Sequence, residues 1–439
     1  MRARTDLLFG FVLLAALSQC SAAKAQARPP APPIARADTV FVSPAPGTDR
    51  GRYPVVSRVT DALQRVARYG VVVVEAGVYR EPTTDVNAPV TLVGRPGAVL
   101  DGAGTKEILA VGADSVTIRG LTFRNTGTSQ ATDRAALRVV EAGGCLIEDN
   151  RFENTLFGVY LQRASSCLVR RNKLWGMEGS QTVTGNGLHS WSSHNVVFED
   201  NEIIGHRDGI YFEFTTASTA RRNVSRDSRR YGLHFMFSDS CRYESNTFYN
   251  NESGVAVMYA KYITMTGNRF ERNRGSAAYG LLLKEISDSK VLGNKFVENS
   301  IGLHLEGANR NEVFDNDFVR NGWAVRVLAG AEDNLLRGNL FSGNVFDVGT
   351  NSRLSNSTFE GNWWDRYRGY DLDRNGRGDV PHAPVRLFAL LVEQSPPALV
   401  LVRSLLVDML DVAERVVPAL TPVTLRDHAP LMRAPRSIQ

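Results

Sequence analysis

Apolar and polar positions along this chain repeat in a fixed order, with a unit too short for a β-strand plus a helix. Asparagines mark the unit: Asn150, Asn172, Asn201, Asn223, Asn246, Asn268, Asn294, Asn316 and Asn339, at steps of 22, 29, 22, 23, 22, 26, 22 and 23. A second ladder, Gly158, Gly187, Gly209, Gly232, Gly254, Gly280 and Gly302, moves with the same steps. Two residues after the asparagine stand Phe152, Leu174, Ile203, Ser225, Phe248, Phe270, Phe296, Phe318 and Phe341. Three before it stand Ile147, Val169, Phe198, Ala220, Tyr243, Met265, Val291, Val313 and Leu336. A period of about 22 with short, mostly apolar columns predicts one coil of three short strands per repeat. The fold is therefore all-β, a right-handed parallel β-helix whose apolar columns stack coil upon coil. The asparagine column turns inward, its amides bonding along the axis.

Other elements follow from the edges of this pattern. Ser57 is placed to cap a short amphipathic helix reaching Tyr69, with Val59, Leu63 and Val66 on one face, which would cover the open end of the solenoid. Val71–Glu75 followed by Gly77-Val78-Tyr79 opens the strand array, as in many pectin-lyase-like β-helices. The repeat fades after Asn362-Trp363-Trp364, and helices are predicted over Pro384–Gln394 and Ala398–Val417. The second carries Arg403, Asp408, Asp411 and Glu414 on one stripe, so it lies on a surface rather than in a bilayer.

Arg2 and Arg4, an apolar run Leu7–Leu17 and Ala23-Lys24-Ala25 read as an export signal. Cys20 after Gln19 fits a lipidation site poorly. The chain then divides into a signal peptide (1–25), a proline-rich linker (26–37), a β-helix with its cap (38–365) and a C-terminal loop and helical docking extension (366–439). Composition adds little except exclusions. Apolar residues make up 43% of the chain, enough for a large core, and 51 Lys and Arg against 46 Asp and Glu leave a net +5. The charges are interleaved, which argues against nucleic acid as a partner. Cys145, Cys167 and Cys241 share the inward parity; their odd number argues against a complete disulfide framework, and they read as small interior packers.

Candidate chemistry lies on the outward positions after the glycine. Two residues on come Tyr160, His189, Tyr211, His234, Ala256, Leu282 and His304; four on come Gln162, Trp191, Glu213, Met236, Met258, Lys284 and Glu306. Coils stack about 4.8 Å apart, so Met236 and Met258 become neighbours and His234 faces the same way. Thioethers and imidazole form a soft set suited to Cu(I); the bland alternative is an apolar surface that a loop or another protein covers. His189 and His304 read as surface histidines. The two long steps place loops around Trp175–Gly185 and Asn273–Tyr279 at one corner, bracketing a groove over the coils of Gly209, Gly232 and Gly254. A second candidate is Asp371, Asp373, Asn375 and Asp379, spaced like the front of a Ca²⁺ loop but with His382 where the bidentate Glu belongs. A tight Asx-turn without metal competes with it. The enzyme alternative is a polysaccharide lyase, hydrolase or epimerase, for which Asp208, Glu213 and Asp239 are the nearest carboxylates.

Several stretches resemble the NosD family: Gly205–Phe214, Arg230–Ser238 with its His-Phe-Met, Gly254–Tyr259 with its Val-Met-Tyr, Gly361–Pro381 and His428–Met432. The resemblance runs from the opening strand to the end of the chain. It implies a non-catalytic periplasmic accessory protein for maturation of nitrous oxide reductase, handling copper, with or without sulfur, for its copper–sulfide centre. It also implies partners at the outer face of the inner membrane: the permease and ATPase of an ABC-type transporter, a copper-chaperone lipoprotein and the reductase itself. Membrane association would then run through partners, and ATP hydrolysis belongs to one of them, because this chain has no nucleotide-binding motif. On that resemblance His234, Met236 and Met258 are the candidate way-station for Cu(I), and the C-terminal helices the candidate dock for the permease.

Overall fold

The structure, a computed structural model, describes residues 36–435 apart from 46, 48–49, 130–131, 276–277, 353–354, 403 and 418–424. The signal segment, Cys20, most of the 26–37 linker, Arg403 and the Asp411 side chain lie outside the described residues.

From Ala37 to Trp364 the chain winds through three parallel sheets of 15, 13 and 12 strands. Each strand pairs with the one a coil away, so neighbours in a sheet are every third strand in sequence. The register is the one the spacing dictates: Ile147 pairs with Val169 and Val169 with Phe198 in the first sheet, and Phe152 with Leu174 in the second. These columns are fully buried. Phe248, Phe270, Phe296, Phe318 and Phe341 stack at centroid spacings of 5.6, 4.7, 4.7 and 5.0 Å, and Trp364 closes the pile at 4.0 Å.

The asparagine ladder is inside, as its spacing predicts. The Asn172 side-chain amide donates to Asn201 Oδ1 at 3.0 Å and to the Ile147 carbonyl at 2.9 Å, while Asn201 Oδ1 also accepts the Asn172 backbone N–H. The pattern recurs through Asn339 to Asn362. A second ladder, Asn251, Asn273, Asn299, Asn321 and Asn344, turns the next corner. The residue before each ladder asparagine sits in the left-handed region, for example Asp149 (φ 56°) and Arg222 (φ 52°). Glycine at 267, 293, 338 and 361 fills that position where it can, since it alone takes this backbone without a Cβ penalty.

Several expectations need correction. Cys145 and Cys167 are not mere packers but a disulfide, with Cα atoms 4.6 Å apart. They occupy one column in adjacent coils, beside the Leu146–Leu168 register pair, so stacking itself brings the sulfurs together. Cys241 remains a buried thiol, pushed up to about 12 by burial. Ser57 does not cap the first helix, α1 (Val59–Arg65). Its first N–H groups, of Val59 and Thr60, donate to the Glu81 carboxylate at 2.6 and 3.1 Å, and Val66 already belongs to the strand Val66–Val74. The C-terminal helices are shorter than expected: α2 spans Leu387–Gln394, and α3 spans Leu405–Val416 after a 3₁₀ turn over Pro396–Leu401. Glu414 supplies the missing cap of α2 by accepting the Leu387 N–H at 2.6 Å.

The last coil is closed by the returning C-terminal segment. The buried Asp427 accepts from the Gly361 and Asn362 backbone N–H groups, the Asn362 amide and the Trp364 indole at 3.0, 2.9, 3.1 and 3.1 Å. It occupies the place of the next asparagine. An ionised carboxylate only accepts, so the ladder ends there with no donor left over.

Candidate functional site

The candidate face is the outer side of the third sheet. Its strands Asp208–Glu213, Tyr231–Met236 and Ser253–Lys261 point Ile210, Phe212, Leu233, Phe235, Val255 and Val257 into the core. Strand alternation sends the residues between them outward. The register then runs His189, Tyr211, His234, Ala256 down one outer column and Trp191, Glu213, Met236, Met258 down the next. Met236 and Met258 are direct register partners, both half-buried. His234 lies on the Met236 strand, two residues away and on the same side.

The columns are less open than a bare sheet face. His234 is 5% exposed, with Tyr211 stacked at 4.7 Å and Tyr231 tilted at 4.9 Å. Neither of its ring nitrogens has a hydrogen-bond partner. Its Nδ1 is 3.6 Å from the Asp208 carboxylate. Met236 Sδ accepts from the Tyr211 hydroxyl at 3.6 Å. His189 and His304, expected at the surface, are buried instead; burial pushes their imidazoles down to about 3 and about 4. Neighbouring aromatic rings cover them, Tyr160 and Tyr211 over His189 and Tyr279 beside His304.

Asp208 sits wholly inside this layer. Burial pushes its carboxyl up, but the Arg230 guanidinium, with Nε 2.8 Å from Oδ1, and the nearby His234 ring outweigh burial and hold it at about 2. Glu213 is half-buried and burial raises it, against the lowering effect of the His234 ring and the Tyr211 hydroxyl; His189 Nε2 lies 4.0 Å away. Asp239 is occupied at the rim, accepting the Lys261 N–H at 2.9 Å.

The first inserted loop is pinned to later coils, because the Met177 carbonyl accepts from Arg229 at 2.8 Å. The space beside it is a half-open cleft of about 510 Å³ lined by Thr128, Asp133, Phe157, Val183, Thr184 and Arg207. That cleft lies on the N-terminal side of the methionine pair, between this loop and the 128–133 segment, rather than over the pair. Of the second loop, 276–277 lie outside the described residues.

Phe214, Phe237 and Tyr259, each five residues after a ladder glycine, are 50, 42 and 43% exposed and stack on one another at 5.2 Å. They immediately follow Glu213, Met236 and Met258 and form an aromatic rim to the soft-donor column. All three hold positive φ, 49°, 51° and 54°.

The 371–379 loop spends its oxygens on itself. Asp371 accepts from the Asn375 and Gly376 N–H groups at 3.1 and 2.9 Å, Asp373 from the Asn375 side-chain amide at 2.7 Å, Asn375 from the Arg377 N–H at 2.7 Å and Asp379 from the Leu372 N–H at 2.7 Å. Among the described residues, no three His, Cys, Asp or Glu side chains are grouped to hold a metal ion, in this loop or elsewhere. The methionine-based set is a different donor chemistry.

This parallel β-solenoid, with its methionine pair on one outer face, is similar to proteins described as copper-binding or transporter-binding. A family model described as "Periplasmic copper-binding protein (NosD)" matches residues 176–369, which contain His234, Met236 and Met258. The "Probable ABC transporter binding protein NosD" of Pseudomonas aeruginosa is 29% identical over 377 residues, covering 80% of this chain and 85% of that one. Its namesake from Stutzerimonas stutzeri is 28% identical over 380 residues, covering 82% and 86%. The chain is thus similar to NosD proteins over most of its length, and to the family model over its central coils. Among solved structures, the Yersinia enterocolitica Family 28 exopolygalacturonase superposes with a TM-score of 0.51 over 68% of this chain and 74% of that one. At 9% identity it shares the fold alone.

Proposed function

We propose that this chain is a periplasmic accessory protein for nitrous oxide reductase maturation, holding copper in transit to the copper–sulfide centre. The observation that carries this reading is the register pairing of Met236 with Met258 on the outer face, two residues along the strand from His234 and on the same side. Two thioethers and an imidazole favour Cu(I), and a half-buried site of soft donors releases its ion more readily than a closed thiolate cage. Copper here is cargo. The chain's own part is to hold the sulfurs in register, to position Met236 through the Tyr211 hydroxyl, and to keep the His234 ring fixed between Tyr211 and Tyr231.

The relatives' naming as ABC transporter binding proteins supports a permease and ATPase as partners at the outer face of the inner membrane. No helix among the described residues is long and apolar enough to cross a membrane. The region after residue 365 is the docking extension in this reading, since α3 exposes Leu405, Leu406, Met409, Val412 and Val416. A copper-chaperone lipoprotein is the donor and the reductase the acceptor. The polysaccharide-enzyme alternative loses support from Asp208, whose carboxylate is buried and paired with Arg230 and so cannot face a sugar across from Glu213.

The test is Cu(I) competition titration of the exported protein and of a Met236→Leu/Met258→Leu double variant. Leucine keeps volume and apolarity, so folding is retained. The expected outcome is affinity weakened by at least about tenfold, roughly 1.4 kcal/mol. Unchanged affinity in the folded double variant would falsify the copper role of this face.

A further inference from the structure

One coil toward the N-terminus from Tyr211, the same outer layer holds a second donor pair that the copper reading does not use. His189 is 5% exposed, and neither of its ring nitrogens has a hydrogen-bond partner. Tyr160 lies parallel to its ring at 4.3 Å and Tyr211 covers it at 4.8 Å, so both faces are taken and only the ring edge can meet a ligand. Toward that edge comes Glu213, with Oε2 4.0 Å from His189 Nε2. The gap is too long for a hydrogen bond. Two bonds of about 2.0–2.2 Å would span it with the nitrogen and the oxygen on opposite sides of one metal ion.

Glu213 is also unusual in its charge environment. Among the described residues it has no Lys or Arg within ion-pair distance, whereas Glu306, the matching position further down the column, is held by Lys284 at 2.8 Å. A buried imidazole with both nitrogens unsatisfied, facing a half-buried carboxylate without a cation, is an arrangement that lacks a positive centre. The imidazole is neutral near pH 7, as a metal ligand must be. Nitrogen and carboxylate oxygen select borderline divalent ions and serve Cu(I) poorly.

We propose that His189 Nε2 and the Glu213 carboxylate form a second subsite for a divalent transition-metal ion, adjoining the methionine pair through the Glu213–Met236 register contact. The choice of Cu(II) as that ion rests on the reading of this face as a copper-handling one; the site itself rests on its own geometry. Tyr211 stands between the two histidines, with His189 on one side of its ring and His234 on the other, and its hydroxyl on Met236. The pair lies on the flank nearer the 510 Å³ cleft, whose lining includes Phe157, 5.7 Å from the His189 ring.

The test is titration of the exported protein with Cu(II), and in parallel with Zn(II), following Cu(II) by electron paramagnetic resonance. His189→Phe keeps a ring in the stack and Glu213→Gln keeps the shape of a partly exposed side chain, so both variants are checked for wild-type circular dichroism. The expected result is a Cu(II) signal with nitrogen and oxygen ligands in the parent, weakened at least about tenfold in each variant and unchanged in Met236→Leu/Met258→Leu. Equal Cu(II) binding in the two folded variants, or no stoichiometric divalent ion on the parent, overturns the subsite. Cu(I) lost from the methionine variant with Cu(II) indifferent to His189 and Glu213 sinks this proposal alone. The reverse pattern sinks the Cu(I) reading alone.

Discussion

At the residue scale, the molecule is organised by side chains whose partners lie one coil away. Asn246 donates to the Ala220 carbonyl and Asn268 Oδ1 while accepting from the Asn223 amide. All of these groups are buried, so removing the amide strands them without water. Asn246→Ala is expected to cost on the order of 3 kcal/mol, read as a lowered chemical denaturation midpoint. The inward turn of these asparagines was legible in the sequence, because their step matches the apolar columns. The burial of His189 and His304 was not. Parity says which side of a strand a residue faces, but the neighbouring tyrosines that cover the rings are a property of the assembled layer.

At the element scale, the strand Phe346–Gly349 at the C-terminal edge of the third sheet holds an ionisable group inside. Burial pushes the Asp347 carboxyl up to about 6, from an ordinary value of 3.8. Below pH 4 the carboxyl is neutral in both folded and unfolded chains and costs nothing. Between pH 4 and 6 the unfolded chain ionises while the folded one resists, so stability falls as pH rises. About two pH units at about 1.4 kcal/mol each make this loss roughly 3 kcal/mol. Asp347→Asn should therefore raise the melting temperature above pH 6 and leave it unchanged below pH 4; an increase of equal size at both pH values would refute the burial argument. The helices show how elements borrow caps. The start of α1 was misplaced at Ser57 because the real cap, Glu81, comes from a strand connection more than twenty residues on.

At the scale of the whole molecule, a solenoid is nearly one-dimensional, so its ends decide how far it frays. Asp427 closes the C-terminal end by gathering donors from Gly361, Asn362 and Trp364. Asp427→Ala is expected to remove about 3 kcal/mol locally and to speed amide hydrogen exchange at 360–364 while the coils around Asn246 stay protected. Uniform acceleration along the rod would show that the coils open together instead. The candidate face lies near the middle, where stacking is most regular, so end fraying leaves the Met236–Met258 pair in register.

The repeat by itself determined the three-sheet coil, the inner columns and the pairing of Met236 with Met258, because period-two alternation and an axial translation are properties of sequence spacing. Only the tertiary structure decided what aperiodic contacts make. It joined Cys145 to Cys167, locked Asp208 to Arg230, left Glu213 facing His189 and brought Asp427 back to finish the ladder. Those outcomes depend on which side chains fill a shared layer and where loops return, and no recurring interval along the chain encodes either.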